Sequence, residues 1–389
     1  MNQENFMTGI RQLDMLRLRV SYGLSGNSAI GINQYQALLS YDKSYAGEGA
    51  VYPKQIGNPD LTWEKNRNFD AGFEYSLFDG RLKGFASWYH RYTFDLLQMV
   101  PLSHTTGHES MLMNVGSLIN RGFEAEITGE IIKSGDFSFS AGISFVTVEN
   151  EVKELAKDAA GNEINIENAT RKVATGHPLY GWYMRKWAGV NPENGKPQWY
   201  VNGVDGEVTE NYNAAKKEWQ GGSAIPKINS ALNTHTEYRN FYLDLNFYYA
   251  GGHKIYEDYS ILTHHSGYYT FLYYNGTEKL MERWQNPGDV TDVPKVVYGA
   301  SDDSKESTRF LFDGDYIRMK DLVLGYRVPE KFTRKIRFEN AEIYLRGTNL
   351  LTFAKDKNLE YDPETGADGM TRFTTPPVNS IVFVINLNS

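Results

Sequence analysis

Hydrophobic residues in this chain recur at every second position over runs too long for an ordinary soluble strand. Leu16, Leu18, Val20, Tyr22 and Leu24 share one parity, with Arg17, Arg19, Ser21 and Gly23 between them. Phe69, Ala71, Phe73, Tyr75 and Leu77 alternate with Asp70, Gly72, Glu74 and Ser76. The same pattern holds for Phe123 to Ile131, Phe137 to Phe145, Ala341 to Gly347 and Ile381 to Leu387. Successive side chains of a strand point to opposite faces. Each run therefore describes a sheet with one apolar and one polar face. Soluble antiparallel sheets alternate too, but their strands are about 5 to 6 residues long. These runs reach about nine or more residues, enough for a tilted strand to cross a bilayer.

The register makes a sharp expectation, because a slip of one residue reverses every side chain. Phe123, Ile127, Phe139, Ile143, Ile343, Leu345, Phe383 and Ile385 are predicted to face lipid. Glu124, Glu126, Ser138, Ser140, Glu342 and Arg346 are predicted to face a wet interior. Glu124, Glu126 and Glu130 stand about 7 Å apart per pair step on one strand face. That spacing also suits paired carboxylates, but a lumen wall is the expected role.

Composition narrows the alternatives. The chain has no Cys, which excludes disulfides, thiolate metal sites and a Cys nucleophile. A net charge of -8 argues against nucleic acid as a partner. The 27 Tyr exceed what a core needs and suit the two edges of a bilayer. No stretch approaches the roughly 18 to 20 apolar residues of a membrane helix. The mean hydropathy is negative, which does not exclude a transmembrane barrel, where only alternate residues meet lipid. The opening MNQENFMTGI lacks the basic start and apolar run of a signal peptide. The protein is therefore either cytoplasmic or the later part of a longer exported chain.

The connections come in two lengths. Leu77 to Arg81 holds an Asp-Gly hairpin signal, Lys133 to Asp136 is short, and Arg239 to Phe241 is tighter still. Pro101 to Met113, Glu154 to Pro178 and Tyr256 to Thr308 are long. Outer-membrane barrels have short periplasmic turns and long extracellular loops. The expected fold is all-β: an antiparallel up-and-down transmembrane barrel, with roughly ten to twelve strands in this chain. Tyr35 to Tyr41 and Arg81 to Met99 alternate poorly and blur that count.

Five stretches resemble the SusC/RagA family of TonB-linked outer-membrane proteins. They are LRLRVSYGLSGNSAIG from Leu16, IGNPDLTWEKNRNFDAGFEYSLFDGRL from Ile56, NVGSLINRGFEAEI from Asn114, RFLFDGDYIRMKDLVLGYRVP from Arg309, and AEIYLRGTNLLTF from Ala341 with LEYDPE after it. They stand in the family's order and span almost the whole chain. The resemblance implies a plugged barrel of about 22 strands, of which residues 1–389 are the C-terminal half. Plug, TonB-contacting segment and signal peptide are expected outside these residues. It further implies no bond chemistry and no cofactor. The implied activity is energy-dependent import of glycans or peptides across the outer membrane. Its partners are a SusD-like surface lipoprotein, the TonB system and the lipids of that membrane. An open half-barrel exposes two strand edges that lipid cannot satisfy, so the chain alone is not expected to be a stable membrane protein. The chain ends at Ser389, on the outward parity of Leu387, where such barrels carry an aromatic; this departure bears on insertion.

Few residues suggest chemistry. His264 and His265 are adjacent, so their side chains diverge, and no HExxH pair occurs. Gly189 to Pro197 reads as a turn, because it lacks phosphate-loop spacing. Asp313-Gly314-Asp315 reads as a strand start, and Asp302-Asp303 as a solvated loop. The longest connection carries Tyr268, Tyr269, Phe271, Tyr273, Tyr274 and Trp284. Exposed aromatics stack on sugars and anchor interfaces. Tyr268, Tyr269, Tyr273, Tyr274 and Trp284 are the candidate contacts with substrate or lid, against the alternative that they pack the loop. Trp182, Tyr183 and Trp187 are expected to anchor a strand at the bilayer edge. A secreted or surface-attached β-rich polysaccharide-binding protein is the rival reading. It would need short strands packed on both faces.

Overall fold

The computed structural model describes residues 10–28, 30–158, 160–267, 273–372 and 374–388. Among them, eleven strands form one antiparallel sheet. They are β1 (Leu13–Asn27), β2 (Glu64–Leu77), β3 (Leu82–Phe94), β4 (Ser117–Ser134), β5 (Phe137–Thr147), β6 (Glu149–Glu154), β7 (Ile228–Tyr238), β8 (Phe241–Gly251), β9 (Tyr316–Arg327), β10 (Asn340–Ala354) and β11 (Ser380–Asn388). Each pairs with its neighbour in the chain, except that β5 pairs with β7 and β6 pairs with β4. β5 and β6 are one strand interrupted at Val148, whose N–H donates to the Lys227 carbonyl. β1 and β11 are the open edges of the sheet. No described helix is long and apolar enough to cross a membrane, which does not bear on crossing by strands.

The register follows the period-two pattern. Leu18 pairs with Phe73, Phe73 with Ala86, Trp88 with Phe123, Ile127 with Ile143, and Ile343 with Ile385, all on one parity. The opposite parity pairs Arg17 with Glu74, Ser87 with Glu124, and Ser140 with His235. Phe123, Ile127, Ile143, Leu345, Phe383 and Ile385 stand exposed on the apolar side. All the residues expected on each face therefore share that face.

Arg81 to Met99, whose pattern is poor, contains the complete strand β3. Its pattern is inverted locally because two aromatics, Phe85 and Tyr89, lie on the polar side. Tyr89 fits there because Gly122 opposite has no side chain, and its hydroxyl donates to the Thr147 carbonyl at 3.0 Å. Tyr35 to Tyr41 instead runs into a small hairpin, Leu38–Tyr45 against Glu48–Gln55, outside the main sheet.

Short and long connections alternate strictly. Residues 78–81, 135–136, 239–240 and 328–339 are the short ones. Phe78, Asp79 and Gly80 all have positive φ, and the Asp14 carboxylate accepts the Gly80 N–H at 2.8 Å, which fixes that turn. Residues 28–63, 95–116, 155–227, 252–315 and 355–379 leave the opposite end.

Among the described residues, the clustered hydrophobic cores do not lie on the faces of the sheet. The core lies in the long loops. Trp182, Met184, Ala224, Tyr256 and Phe310 form one buried cluster, and Trp199, Tyr212 and Ala215 form a second with Trp187 packed on it. This corrects the bilayer-edge reading of Trp182, Tyr183 and Trp187. Trp182 is fully buried among residues from distant loops, Tyr183 edges onto Trp219, and Trp187 meets Trp199 edge-on. The solvated-loop reading of Asp302-Asp303 also fails in part. Asp303 is buried, paired with buried Arg309 at 3.1 Å, and accepts the Ser266 hydroxyl. A buried carboxylate persists when it is paired and hydrogen-bonded in this way.

Candidate transport wall and loop layer

The polar face of the sheet is a continuous hydrogen-bonded wall. Arg17 and Arg19 reach Glu74, and Arg19 also reaches Asp70. His235 Nδ1 lies 2.5 Å from Asp244 Oδ1, Asn246 donates to Asn233, Arg346 Nε donates to Asp321 at 2.8 Å, and Arg327 pairs with Glu237. Glu126, Thr128, Ser140 and Ser144 line a shallow depression of about 440 Å³ with Asn233, His235, Asp244 and Asp321. Such a surface offers water and polar solutes donors and acceptors throughout. On the alternate face, apolar side chains dominate the strands, and charged groups gather at the loop end, where Arg121 holds Glu149.

Above the wall, the loops are held by buried charge. Arg318 on β9 is almost fully buried; its guanidinium contacts Asp362 at 2.5 Å and Glu364 at 2.6 Å and donates to the Thr352 hydroxyl. Lys320 shares Glu364. Glu257 is buried, and one of its oxygens accepts the N–H groups of Glu360 and Tyr361 at 2.7 and 3.0 Å. Burial pushes its carboxyl above the usual range, although these donors and the Ser260 hydroxyl pull it down. His264 contacts Glu360 at 2.9 Å, yet burial holds its imidazole below the ordinary value. Glu257 and His264 tie the 355–372 segment to the 252–315 loop, and Arg318 and Lys320 tie it to β9. Sequence reasoning did not find them. The one available signal was the acidic run Leu359 to Glu364 facing a cationic strand start at Arg318 and Lys320.

The candidate contact aromatics fall into three situations. Tyr268 and Tyr269 lie outside the described residues, as does Phe271. Tyr273 is exposed, and Tyr274 meets Tyr259 edge-on at 6.5 Å. Trp284 donates its indole N–H to the Pro192 carbonyl at 2.8 Å and lies against Gly195, where a Cβ would collide with the ring. Gly195 sits in the turn that joins Trp187–Val190 to Pro197–Tyr200, as expected for Gly189 to Pro197. Asp313-Gly314-Asp315 lies where Leu311–Asp313 gives way to β9, and Lys355 bridges both carboxylates. Among the described residues, no group of three His, Cys, Asp or Glu could hold a metal.

The profile of the family described as TonB dependent receptor-like, beta-barrel, matches residues 11–350. The chain belongs to this family. The TonB-dependent receptor P3 of Formosa agariphila is 28% identical over 91% of this chain, and the TonB-dependent receptor SusC of Bacteroides thetaiotaomicron 25% over 99%. The RagAB peptide importer, solved in an open-open state, is 30% identical and superposes with a TM-score of 0.86 over 99% of this chain. The chain spans 36% and 38% of the two receptors and 41% of the RagAB chain. TonB-dependent receptors of the SusC/RagA type are transporters and receptors of the outer membrane. In that membrane the apolar face of the sheet is the one suited to lipid and the polar face the one suited to water.

Proposed function

We propose that this chain forms about half of the wall, and much of the extracellular loop layer, of a TonB-dependent importer of glycans or peptides. The observation that carries the reading is the two-faced sheet whose long loops all leave one end and pack into a folded layer there. The wall does no bond chemistry. The remaining strands, the plug that fills the lumen and the TonB-contacting segment belong to the rest of the protein. A SusD-like lipoprotein closes the extracellular mouth. A soluble polysaccharide-binding sheet would have to cover the outward Leu, Ile and Phe rows, which stand bare here.

Tyr268, Tyr269, Tyr273, Tyr274 and Trp284 are the proposed contacts with cargo or lid. Tyr273 and Tyr274 would act directly, and Trp284 would shape the surface through the Pro192 turn. The test is uptake of labelled oligosaccharides and peptides by cells carrying the full-length importer. Uptake should depend on the importer and stop when the proton gradient collapses. Tyr273→Ala with Tyr274→Ala should reduce uptake or lid co-purification several-fold, as truncated aromatic anchors do, with barrel assembly unchanged. Wild-type uptake and lid recovery would reduce these rings to loop packing.

A further inference from the structure

One of the long connections turns inward over the polar face. β11 lies beside β10, so residues 355–379 need only turn back between them. They instead run back across the ends of β9 and β8. Gly369 accepts the Tyr256 N–H at 2.8 Å and lies against Ala224, in the segment that enters β7. On the way the chain meets Arg318 of β9, which pairs across the sheet with Tyr248 and Thr352. Tyr248 shares its parity on β8 with Asp244 and Asn246, so Arg318 starts from the polar face. Asp362 and Glu364 grip its guanidinium there, and Lys320 reaches Glu364 from over the Tyr248 ring. Pro363 between them is buried, and the Arg318 side chain is only 1% exposed. Residues 359–369 therefore form a strap laid on the polar side of β8 to β10.

The strap is held at both ends as well as in the middle. Glu257 accepts the N–H groups of Glu360 and Tyr361 ahead of the grip, and Asp258 accepts the Arg372 N–H at 2.6 Å after it. A buried ion pair that loses one partner leaves a bare buried charge, which disfavours opening of the strap. On β1 to β4 the same end of the polar face is open, and Ser25, Asn66, Asn68, Arg91 and Asn120 line a space of about 500 Å³. One side of the mouth is thus filled and the other open, so a solute moving along the polar face passes beside the strap. Such an obstacle bounds the cross-section of a chain rather than its length. A linear chain can thread end-on, whereas a branch adds width.

We propose that the strap is a fixed constriction that admits linear cargo chains and rejects branched ones, with Arg318 as its positioning residue. The inference rests on the reading of the polar face as the lumen wall of an importer. The test is uptake by cells carrying the full-length importer of labelled linear and singly branched oligosaccharides of equal mass, with linear and branched peptides as a second pair. Arg318→Glu places a third carboxylate against Asp362 and Glu364 and should free the strap. The branched-to-linear uptake ratio should then rise several-fold, with linear uptake little changed. Because it is a ratio, it is insensitive to how much importer reaches the membrane, and heat-modifiable gel migration checks that the barrel is folded. Arg318→Lys keeps the charge but loses the two-pronged contact, and should give an intermediate ratio. A nitroxide on Thr365→Cys reports the strap itself: immobile with Arg318 intact, mobile with Arg318→Glu. A label mobile with Arg318 intact, a label still immobile in Arg318→Glu, or an unchanged uptake ratio once the label moves would each overturn the proposal. Uptake of neither pair depending on the importer would instead overturn the transport reading beneath it.

Discussion

Glu257 shows how a single buried group sets the behaviour of a loop. Its carboxyl is raised by burial from an ordinary value of 4.5. A group raised in the folded state stabilises the fold fully below its unfolded pKa, and that contribution is lost as pH rises through the folded pKa. The contact between the 252–315 loop and Glu360–Tyr361 should therefore be firmest below pH 4.5 and loosen above it. Amide exchange at Glu360 and Tyr361, followed from about pH 4 to 8, should accelerate with pH beyond the intrinsic chemical rate. In Glu257→Gln the amide oxygen keeps both N–H acceptor contacts without titrating, and the excess acceleration should vanish. A pH profile unchanged by the substitution would assign the loop's titration to another group.

At the scale of elements, the wall is held by aromatic rings laid over glycines on the neighbouring strand. Tyr242 of β8 lies over Gly325 of β9, its register partner, and a Cβ at 325 would run into the ring. Gly325→Val should cost about 1–3 kcal/mol through overpacking and lower the yield of heat-modifiable barrel. Tyr242→Ser added to it should restore much of that yield. Assembly of Gly325→Val at the wild-type level would show that the ring does not rest there. Such pairs also explain what the sequence could and could not show. β2, β4, β5, β10 and β11 were legible because alternation is local and lipid imposes it on every outward residue. β3 was blurred because Tyr89 and Phe85 sit inward over partners more than thirty residues away, such as Gly122. The loop cores were illegible because Trp182 meets Tyr256 and Phe310 only in the fold. Their aromatics carry no period, so they read as bilayer anchors. The wall face of the candidate site was legible from parity alone. The Arg318 and Glu257 ties were not, because each joins segments about 45 and 100 residues apart in the chain.

At the scale of the whole molecule, the sheet of the described residues ends on two edges, β1 and β11. Unpaired backbone groups are costly in lipid, so the proposed membrane setting calls for a partner strand at each edge. On the proposed reading, one face of this wall meets lipid and the other meets water. This chain has no Cys, so single cysteines can be placed along β5 of the full-length importer and spin-labelled one at a time. The measurement is collision of each label with oxygen, which concentrates in lipid, and with a water-soluble nickel complex. Phe139→Cys, Ala141→Cys, Ile143→Cys and Phe145→Cys should favour oxygen, whereas Ser140→Cys, Gly142→Cys and Ser144→Cys should favour nickel, in strict alternation. A uniform profile along the strand, or the reverse alternation, would contradict the account.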